Sequence, residues 1–246
     1  MGPIYIGTSG WIYKSWEKTF YPAKRSGEDP LVFYARTFPT VEVNATFYRL
    51  PTLEMVHGWR DRTPDSFVFA VKGSRFLTHI RKLADTGPGL NRFLRRLKSL
   101  TGKTGVFLWQ LPPFLKKDVA RLENFLRRLP KEPAHAVEFR HVSWYADDEV
   151  LDALRRHGVA HVSVSSPGME MNLAVTSDVV YVRFHGLTGP AHDYTRGELK
   201  PWVEHIRSQV RKGRTVFAYF NNDANARAPA NAQLLMEMVG RDNIQE

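Results

Sequence analysis

The sequence predicts an α/β fold of the (β/α)8 TIM-barrel-like type, built on parallel strands. Eight short runs of β-branched and aromatic residues recur along the chain, and amphipathic helical patterns separate most of them. Strands that alternate with helices form βαβ units and a parallel sheet. About eight such units in 246 residues is the number and length typical of a barrel. We therefore expect one domain that spans residues 1–246.

The predicted strands begin, in order, at Ile4, Thr40, Phe67, Gly105, His135, Ala160, Val179 and Thr215. Amphipathic helical segments begin at Asn91, Val119, Asp147 and Leu199. The segment Pro167–Ser177 has no clear helical period, so we expect one irregular or missing helix there. An open doubly wound sheet is the competing fold. It is disfavoured because no G-x-G-x-x-G or Walker lysine loop follows any strand.

The composition restricts the classes of function. Thirty-five Lys and Arg against 25 Asp and Glu give a net charge of +10, which favours anionic partners. The charge is dispersed, so a solvated basic exterior is a better interpretation than a dedicated nucleic-acid surface. The absence of cysteine excludes disulfides, thiolate nucleophiles and zinc–thiolate sites. With no signal-peptide pattern and no long apolar span, we expect a cytoplasmic protein without a membrane partner.

In six strands the side chains separate by face, since alternate residues of a strand point to opposite sides. We expect an apolar face toward the helices and a polar face toward the barrel interior. For the sixth strand this places Val162 and Val164 against the helices and His161, Ser163 and Ser165 inside. The polar groups gather near the carboxyl ends of the strands, where barrel enzymes hold their active sites. We therefore predict a polar, cation-rich pocket there.

The pocket-facing residues have three predicted roles. Lys72, Arg140 and Arg183 would bind an anion, because arginine forks and lysine suit phosphate and carboxylate groups. Glu42, Glu138 and His185 are the acid–base candidates. The remaining substrate-binding candidates are Asn44, Gln110, Asn221, Tyr219 and Trp11. An alternative interpretation is a self-neutralised core network in which the two glutamates only balance the cations.

We expect no metal and no cofactor. Glu42, Glu138, His185 and Asp223 include metal-ligand types, but no H-x-x-x-H or D-x-D spacing occurs, and the nearby cations disfavour a metal. Asp223 follows the last strand, where capping a helix is its ordinary task.

Several motifs carry a resemblance to the YecE-like proteins, domain of unknown function family 72. They are GTSGWIYKSW from Gly7, FYP from Phe20, TVEVNATFYRLP from Thr40, WRDRTPDSFVFAVK from Trp59, AVEFRHVSW from Ala136, YVRFHG from Tyr181, YFNND from Tyr219 and APANA from Ala228. The resemblance spans nearly the whole chain and implies a TIM-barrel protein without a settled activity. The family's suggested likeness to sugar isomerases and endonuclease-type barrels is an analogy of fold.

Three functions remain open. The leading hypothesis is an enzyme of hydrolase or isomerase type that acts by acid–base chemistry on an anionic small molecule, a phosphorylated sugar or a nucleotide-like compound. The second is a nucleic-acid-processing, endonuclease-like barrel, for which nucleic acid would be the partner. The third is a non-catalytic anion-binding protein. The sequence does not determine the oligomeric state.

Overall fold

A computed structural model of the protein describes residues 1–22, 27–145 and 147–240. Its sheet has eight parallel strands, as predicted. The strands are β1 (Ile4–Thr8), β2 (Thr40–Val43), β3 (Val68–Lys72), β4 (Thr104–Gln110), β5 (Ala134–Glu138), β6 (Ala160–Ser165), β7 (Val179–Phe184) and β8 (Thr215–Phe220). They follow the order β1-β8-β7-β6-β5-β4-β3-β2, and β1 meets β2 through a bridge between Ser9 and Glu42. The predicted (β/α)8 barrel is thus confirmed.

The seam between β1 and β2 is held mainly by close backbone approach and side-chain hydrogen bonds, because a single bridge joins the two strands. A Cβ on Gly7 would lie 2.4 Å from the carbonyl oxygen of Thr40, so only glycine permits this approach. The hydroxyl of Tyr34 accepts a hydrogen bond from the Thr8 amide at 2.9 Å and donates one to the Thr40 carbonyl at 3.1 Å. This buried hydroxyl links the strands where ladder hydrogen bonds are few, and the closed seam holds Glu42 against Ser9.

The α-helices of the described residues follow the strands in barrel order. They are α1 (Pro30–Ala35), α2 (Ala45–Tyr48), α3 (Leu53–Asp61), α4 (Gly87–Arg96), α5 (Val119–Leu126), α6 (Asp148–Arg156), α7 (Arg196–Arg211) and α8 (Arg227–Val239). Helix α6 begins after Asp147, whose side chain accepts a hydrogen bond from the amide of Val150, and it ends in Arg155 and Arg156. Such an acidic start and basic end match the helix dipole. The amphipathic segments predicted from the sequence are therefore helices.

The connection from β6 to β7 has no helix. Residues 166–178 join these neighbouring strands in an irregular path of turns and coil. Within it, Thr176 Oγ1 donates to the Val159 carbonyl at 2.6 Å and accepts from the His161 amide at 2.8 Å. These bonds hold the segment against the start of β6 and confirm the predicted missing helix.

Two apolar clusters separate the faces of the sheet. The outer one joins the strands to the helices and includes Val41, Val137 and Phe184. The inner one fills the barrel and includes Tyr181 and Phe217. The inner cluster lies below the strand ends, so the polar residues gather above a solid apolar core.

Strand β6 corrects one prediction. Val162 and Val164 belong to the inner cluster, whereas the sequence analysis placed them against the helices. Ser165 points outward, where its hydroxyl lies 2.8 Å from that of Tyr194. The alternation of residues shows only that the two valines and the polar side chains of β6 point to opposite faces. The register decides which set faces inward, and here the inward positions sit in an apolar layer that valine fills.

None of the helices within the described ranges has both the length and the hydropathy needed to cross a bilayer.

Candidate functional site

Three charged side chains form a fully buried floor at the carboxyl ends of the strands. Arg183 of β7 donates from Nη2 to Glu42 Oε1 of β2 and from Nη1 to Glu138 Oε2 of β5, both at 2.6 Å. All three side chains have 0% exposure. One guanidinium therefore joins two carboxylates from strands on opposite parts of the barrel. We call Glu42, Glu138 and Arg183 the floor.

Both floor carboxylates are held in the ionised form. Burial acts to raise the pKa of Glu42, but the charges of Arg183 and Lys72 outweigh it and lower that pKa. Glu138 behaves in the same way, and Arg183 brings its pKa well below the usual range. Glu42 also accepts hydrogen bonds from Ser9 Oγ at 2.7 Å and Tyr181 at 2.6 Å. Glu42 thus has a complete set of partners, as a buried charge requires.

A ring of half-buried polar side chains surrounds the floor. We call it the rim, and its members are Lys72, Gln110, Arg140, His185 and Asn221. Arg140 Nη1 lies 3.1 Å from Glu138 Oε1, and its side chain is 24% exposed. Gln110 Oε1 accepts from Arg183 Nη1 at 3.2 Å. The structure therefore brings these five predicted residues together around the floor.

His185 lies between the floor and the rim. Its Nδ1 is 3.1 Å from Asn221 Nδ2, an amide donor, so we assign the imidazole proton to Nε2. Nε2 in turn lies 3.5 Å from Glu138 Oε1. Burial and the charge of Arg183 lower the pKa of His185 below its usual value, so the ring is neutral at pH 7.

Lys72 differs from the other cations of the site. Its ammonium lies 4.4 Å from the centroid of the Phe47 ring. Among the described residues, no carboxylate comes within 4 Å of it and no side-chain hydrogen bond engages it. Burial, followed by repulsion from Arg183, lowers the pKa of Lys72 to about 8. The ammonium is still mostly charged at pH 7 and is available to a ligand.

Asp223 is a further functional candidate, for which the sequence position favours only a helix cap. It precedes the short 3-10 helix Ala224–Ala226, but its side chain makes no capping hydrogen bond. Its Oδ1 is buried and has no hydrogen-bond partner in the described part of the chain. Burial, reinforced by the charge of Glu42, raises the pKa of Asp223 to about 7. The only signal in the sequence is its position three residues past the end of β8, after Asn221 and Asn222.

Tyr13 and Asn44 lie beside Asp223. Tyr13 donates a hydrogen bond to the Ser9 carbonyl, and burial together with the charge of Asp223 raises its pKa. Asn44 lies next to the Tyr13 hydroxyl, and its buried Oδ1 lacks a hydrogen bond to any described group. The site thus has a second polar group adjoining the floor, formed by Tyr13, Asn44 and Asp223.

Two predicted ligand contacts lie elsewhere. Tyr219 has 0% exposure inside the barrel, where its hydroxyl is 2.6 Å from Thr40 Oγ1. Trp11 packs edge-on against Trp59 at 6.1 Å, on the helix side of the sheet. The structure therefore does not bring these two side chains to the floor. No group of three or more His, Asp or Glu side chains in the described residues is arranged to hold a metal ion.

Comparison with known proteins finds relatives over the full length. A family model described as "Protein of unknown function DUF72" matches residues 5–246. The UPF0759 protein YunF of Bacillus subtilis is 26% identical, with 96% of this chain and 94% of YunF covered. The UPF0759 protein YecE of Escherichia coli K12 is 35% identical over 62% of this chain and 54% of YecE. The crystal structure of a DUF72 family protein from Thermotoga maritima superposes with a TM-score of 0.86 at 28% identity, covering 96% of this chain and 99% of that one.

Proposed function

The chain belongs to the DUF72 family of proteins of unknown function, and from that premise we propose that it is an enzyme acting on an anionic small molecule at the barrel mouth. Lys72 and Arg140 would hold the anion, and Asp223 would transfer the proton. Phosphorylated sugars and nucleotide-like compounds are the substrate class proposed.

The uncompensated charge of the site is the observation that supports anion binding. Arg183, Arg140 and Lys72 carry positive charge at pH 7, whereas Glu42, Glu138 and the partly ionised Asp223, whose pKa is about 7, carry less negative charge, which leaves a net positive charge. Arg183 is enclosed by its two carboxylates, so the excess lies at the rim. A phosphate or carboxylate seated between Lys72 and Arg140 would neutralise it in a region of low dielectric, where such a pairing is strong.

Asp223 meets the requirement for a proton carrier. A general acid or base works best when its pKa is close to the operating pH, and that of Asp223 is about 7. Its Oδ1 has no hydrogen-bond partner among the described residues, so the carboxyl retains an unused acceptor. Perturbed carboxyl groups in a cleft are typical of functional sites. His185 would assist from the rim as a neutral hydrogen-bonding group.

The contacts favour a different role for Glu42 and Glu138 from proton transfer. Both carboxylates are ionised and bound by Arg183, so releasing either for protonation would cost an ion pair. We propose that they fix Arg183 and set the local field, since the charge of Glu42 raises the pKa of Asp223 and that of Lys72. Hydrolysis of a phosphorylated compound and its isomerisation can both use a bound anionic group and a carboxyl that takes up and returns a proton, and the proposal covers both.

Calorimetric titration with sulfate, phosphate, sugar phosphates and nucleoside monophosphates tests the proposal. We expect saturable binding of at least one phosphorylated compound, weakened at least tenfold by Lys72→Met. Lys200→Met, an exposed change on α7, is the matched control and should leave binding unchanged. Turnover of a bound compound should be lost in Asp223→Asn while binding persists. Equal binding by the two lysine variants, or no binding at millimolar concentration, contradicts the proposal. Binding without turnover of any tested compound would favour the non-catalytic alternative.

A further inference from the structure

A cavity lies beside the barrel mouth, outside the proposed active site. It has a volume of about 800 Å³ and is bounded by α2, the loop after β3 and α4. We call it the side groove. Its lining is Tyr48, Arg49, Leu50, Ser74, Arg75, Phe76, Leu77, Ile80, Arg81, Asp85, Pro88, Gly89, Arg92 and Phe93. None of the floor or rim residues belongs to it.

The side groove concentrates exposed apolar surface. Ten large hydrophobic residues of the described chain are exposed, and three of them, Tyr48, Phe76 and Ile80, line this one cavity. Their exposures are 70%, 46% and 59%, while Leu77 and Phe93 form a buried base beneath them. Single exposed apolar residues are ordinary, but a contiguous patch with a concave base is typical of an interaction site.

The edge of the side groove is positively charged. It carries four arginines and a single acid, Asp85, which pairs with Arg81 at 3.1 Å. The other three, Arg49, Arg75 and Arg92, make no ion pair or side-chain hydrogen bond with any described residue. A complementary occupant must therefore bring negative charge as well as apolar groups.

The loop that forms one wall has an unusual backbone. Phe76–Ile80 is a turn of π-helix, and Lys82, Leu83 and Asp85 all have left-handed φ values of 49°, 67° and 46°. Both features carry a conformational cost and recur at functional sites. This segment presents Phe76 and Ile80 to solvent instead of burying them.

We propose that the side groove binds an acidic peptide segment of a partner protein, one that anchors large apolar side chains. The aliphatic part of the lining, Leu50, Leu77, Ile80 and Pro88, suits leucine, isoleucine or phenylalanine anchors better than the polar edges of nucleic-acid bases. The unpaired arginines would meet Asp and Glu at the edge of the peptide. This proposal does not depend on the proposed enzyme activity.

The side groove adjoins the mouth through one residue. Phe47 contacts the Lys72 ammonium at 4.4 Å, and its ring lies 5.1 Å from that of Tyr48 in the groove lining. A peptide in the groove would therefore lie one residue away from the side chain that packs on Lys72.

Selection from a phage-displayed library of random 16-residue peptides tests the proposal. The full chain serves as bait, and Ile80→Glu serves as the counter-selection bait. Ile80 is 59% exposed, so the change should leave the fold intact, which circular dichroism would verify. We expect enrichment of peptides that combine net negative charge with at least two large apolar residues. Enrichment of basic or neutral peptides, or equal recovery on both baits, would overturn the proposal.

Fluorescence anisotropy with the enriched peptide completes the test. Arg75→Glu and Ile80→Glu should each weaken binding at least tenfold, and binding should weaken with added salt. Met171→Glu changes an exposed apolar residue on the β6–β7 connection and should leave the affinity unchanged. A 16-residue oligothymidylate that competes at lower concentration than the peptide would assign the side groove to nucleic acid instead and contradict the proposal.

Discussion

Arg183 and Glu42 form a buried ion pair, with Nη2 and Oε1 2.6 Å apart and neither side chain exposed. The same guanidinium binds Glu138, so one cation compensates two carboxylates. A buried charge is tolerated only when it is paired and hydrogen-bonded. Arg183 is therefore the residue on which the polar end of the barrel depends.

Arg183→Met should destabilise the protein strongly. The change leaves Glu42 and Glu138 buried without their main countercharge, which typically costs about 3–5 kcal/mol. Urea unfolding at pH 7 measures the loss. Arg60→Met is the control, because the Arg60–Asp61 pair lies in solvent, with side-chain exposures of 43% and 58%, and such surface pairs contribute little to stability. Equal losses in the two variants would contradict this assignment.

Asp223→Asn should stabilise the protein in a pH-dependent way. The folded-state pKa of Asp223 is about 7 against an unfolded value of 3.8, so the folded form resists ionisation. The loss of folding stability caused by ionising Asp223 is absent below pH 3.8, grows as the pH rises toward 7 and is complete above pH 7. We expect the variant to be about 1–3 kcal/mol more stable at pH 8, with solvent access keeping the gain below the ~4 kcal/mol implied by that shift.

The measurement for Asp223→Asn is the difference in unfolding free energy between variant and wild type from pH 4 to pH 8. A difference that is constant across this range would show that Asp223 titrates normally.

Lys72→Met should also stabilise the fold while it weakens anion binding. Burial lowers the pKa of Lys72 to about 8 from 10.5, so the charged form is disfavoured in the folded state. The loss of folding stability caused by burying the charged ammonium is complete below pH 8 and disappears as the pH rises to 10.5. We expect about 1–3 kcal/mol of added stability at pH 7, shrinking by pH 10. A stability gain joined to a loss of binding indicates a residue retained for function.

Thermal and urea unfolding at pH 7, 9 and 10 would measure the effect of Lys72→Met. If the variant is less stable than the wild type at pH 7, Lys72 serves the fold and its proposed role in binding an anion loses support.

Tyr34→Phe should weaken the barrel seam. Without the hydroxyl, the buried Thr8 amide loses its acceptor and the Thr40 carbonyl loses a donor. An unsatisfied buried polar group costs about 1–3 kcal/mol. Tyr48→Phe, at a side chain that is 70% exposed, is the control and should change the unfolding free energy by less than about 0.5 kcal/mol. A Tyr34→Phe loss no larger than that of the control would show that the hydroxyl does not hold the seam.

The fold could be predicted because local pattern and topology agree. The alternation of Val41 and Val43 with Glu42 correctly predicts a strand whose Glu42 side chain points into the barrel. In β6 the same rule gave the wrong face, since apolar and small polar residues there satisfy either environment. Periodicity alone does not determine an orientation when both faces can be buried.

The site was partly predictable for a similar reason. Strand position places Lys72, Arg140 and His185 at the carboxyl ends, and the structure brings them together. The pairing of Glu42 and Glu138 through one arginine depends on distances across the barrel, which a sequence does not contain. The raised pKa of Asp223 arises from its burial and from the charge of Glu42, and neither can be seen from its position in a loop.

Carbon-13 NMR titration of the Asp223 carboxyl, assigned with Asp223→Asn, tests the central claim most directly. The titration gives the pKa of the proposed proton carrier, and its change on adding sulfate shows whether an anion binds nearby. We expect a midpoint near pH 7 in the free protein and a higher one with sulfate, because an added negative charge at the mouth disfavours ionisation. A midpoint below pH 5 that sulfate leaves unchanged would contradict the account.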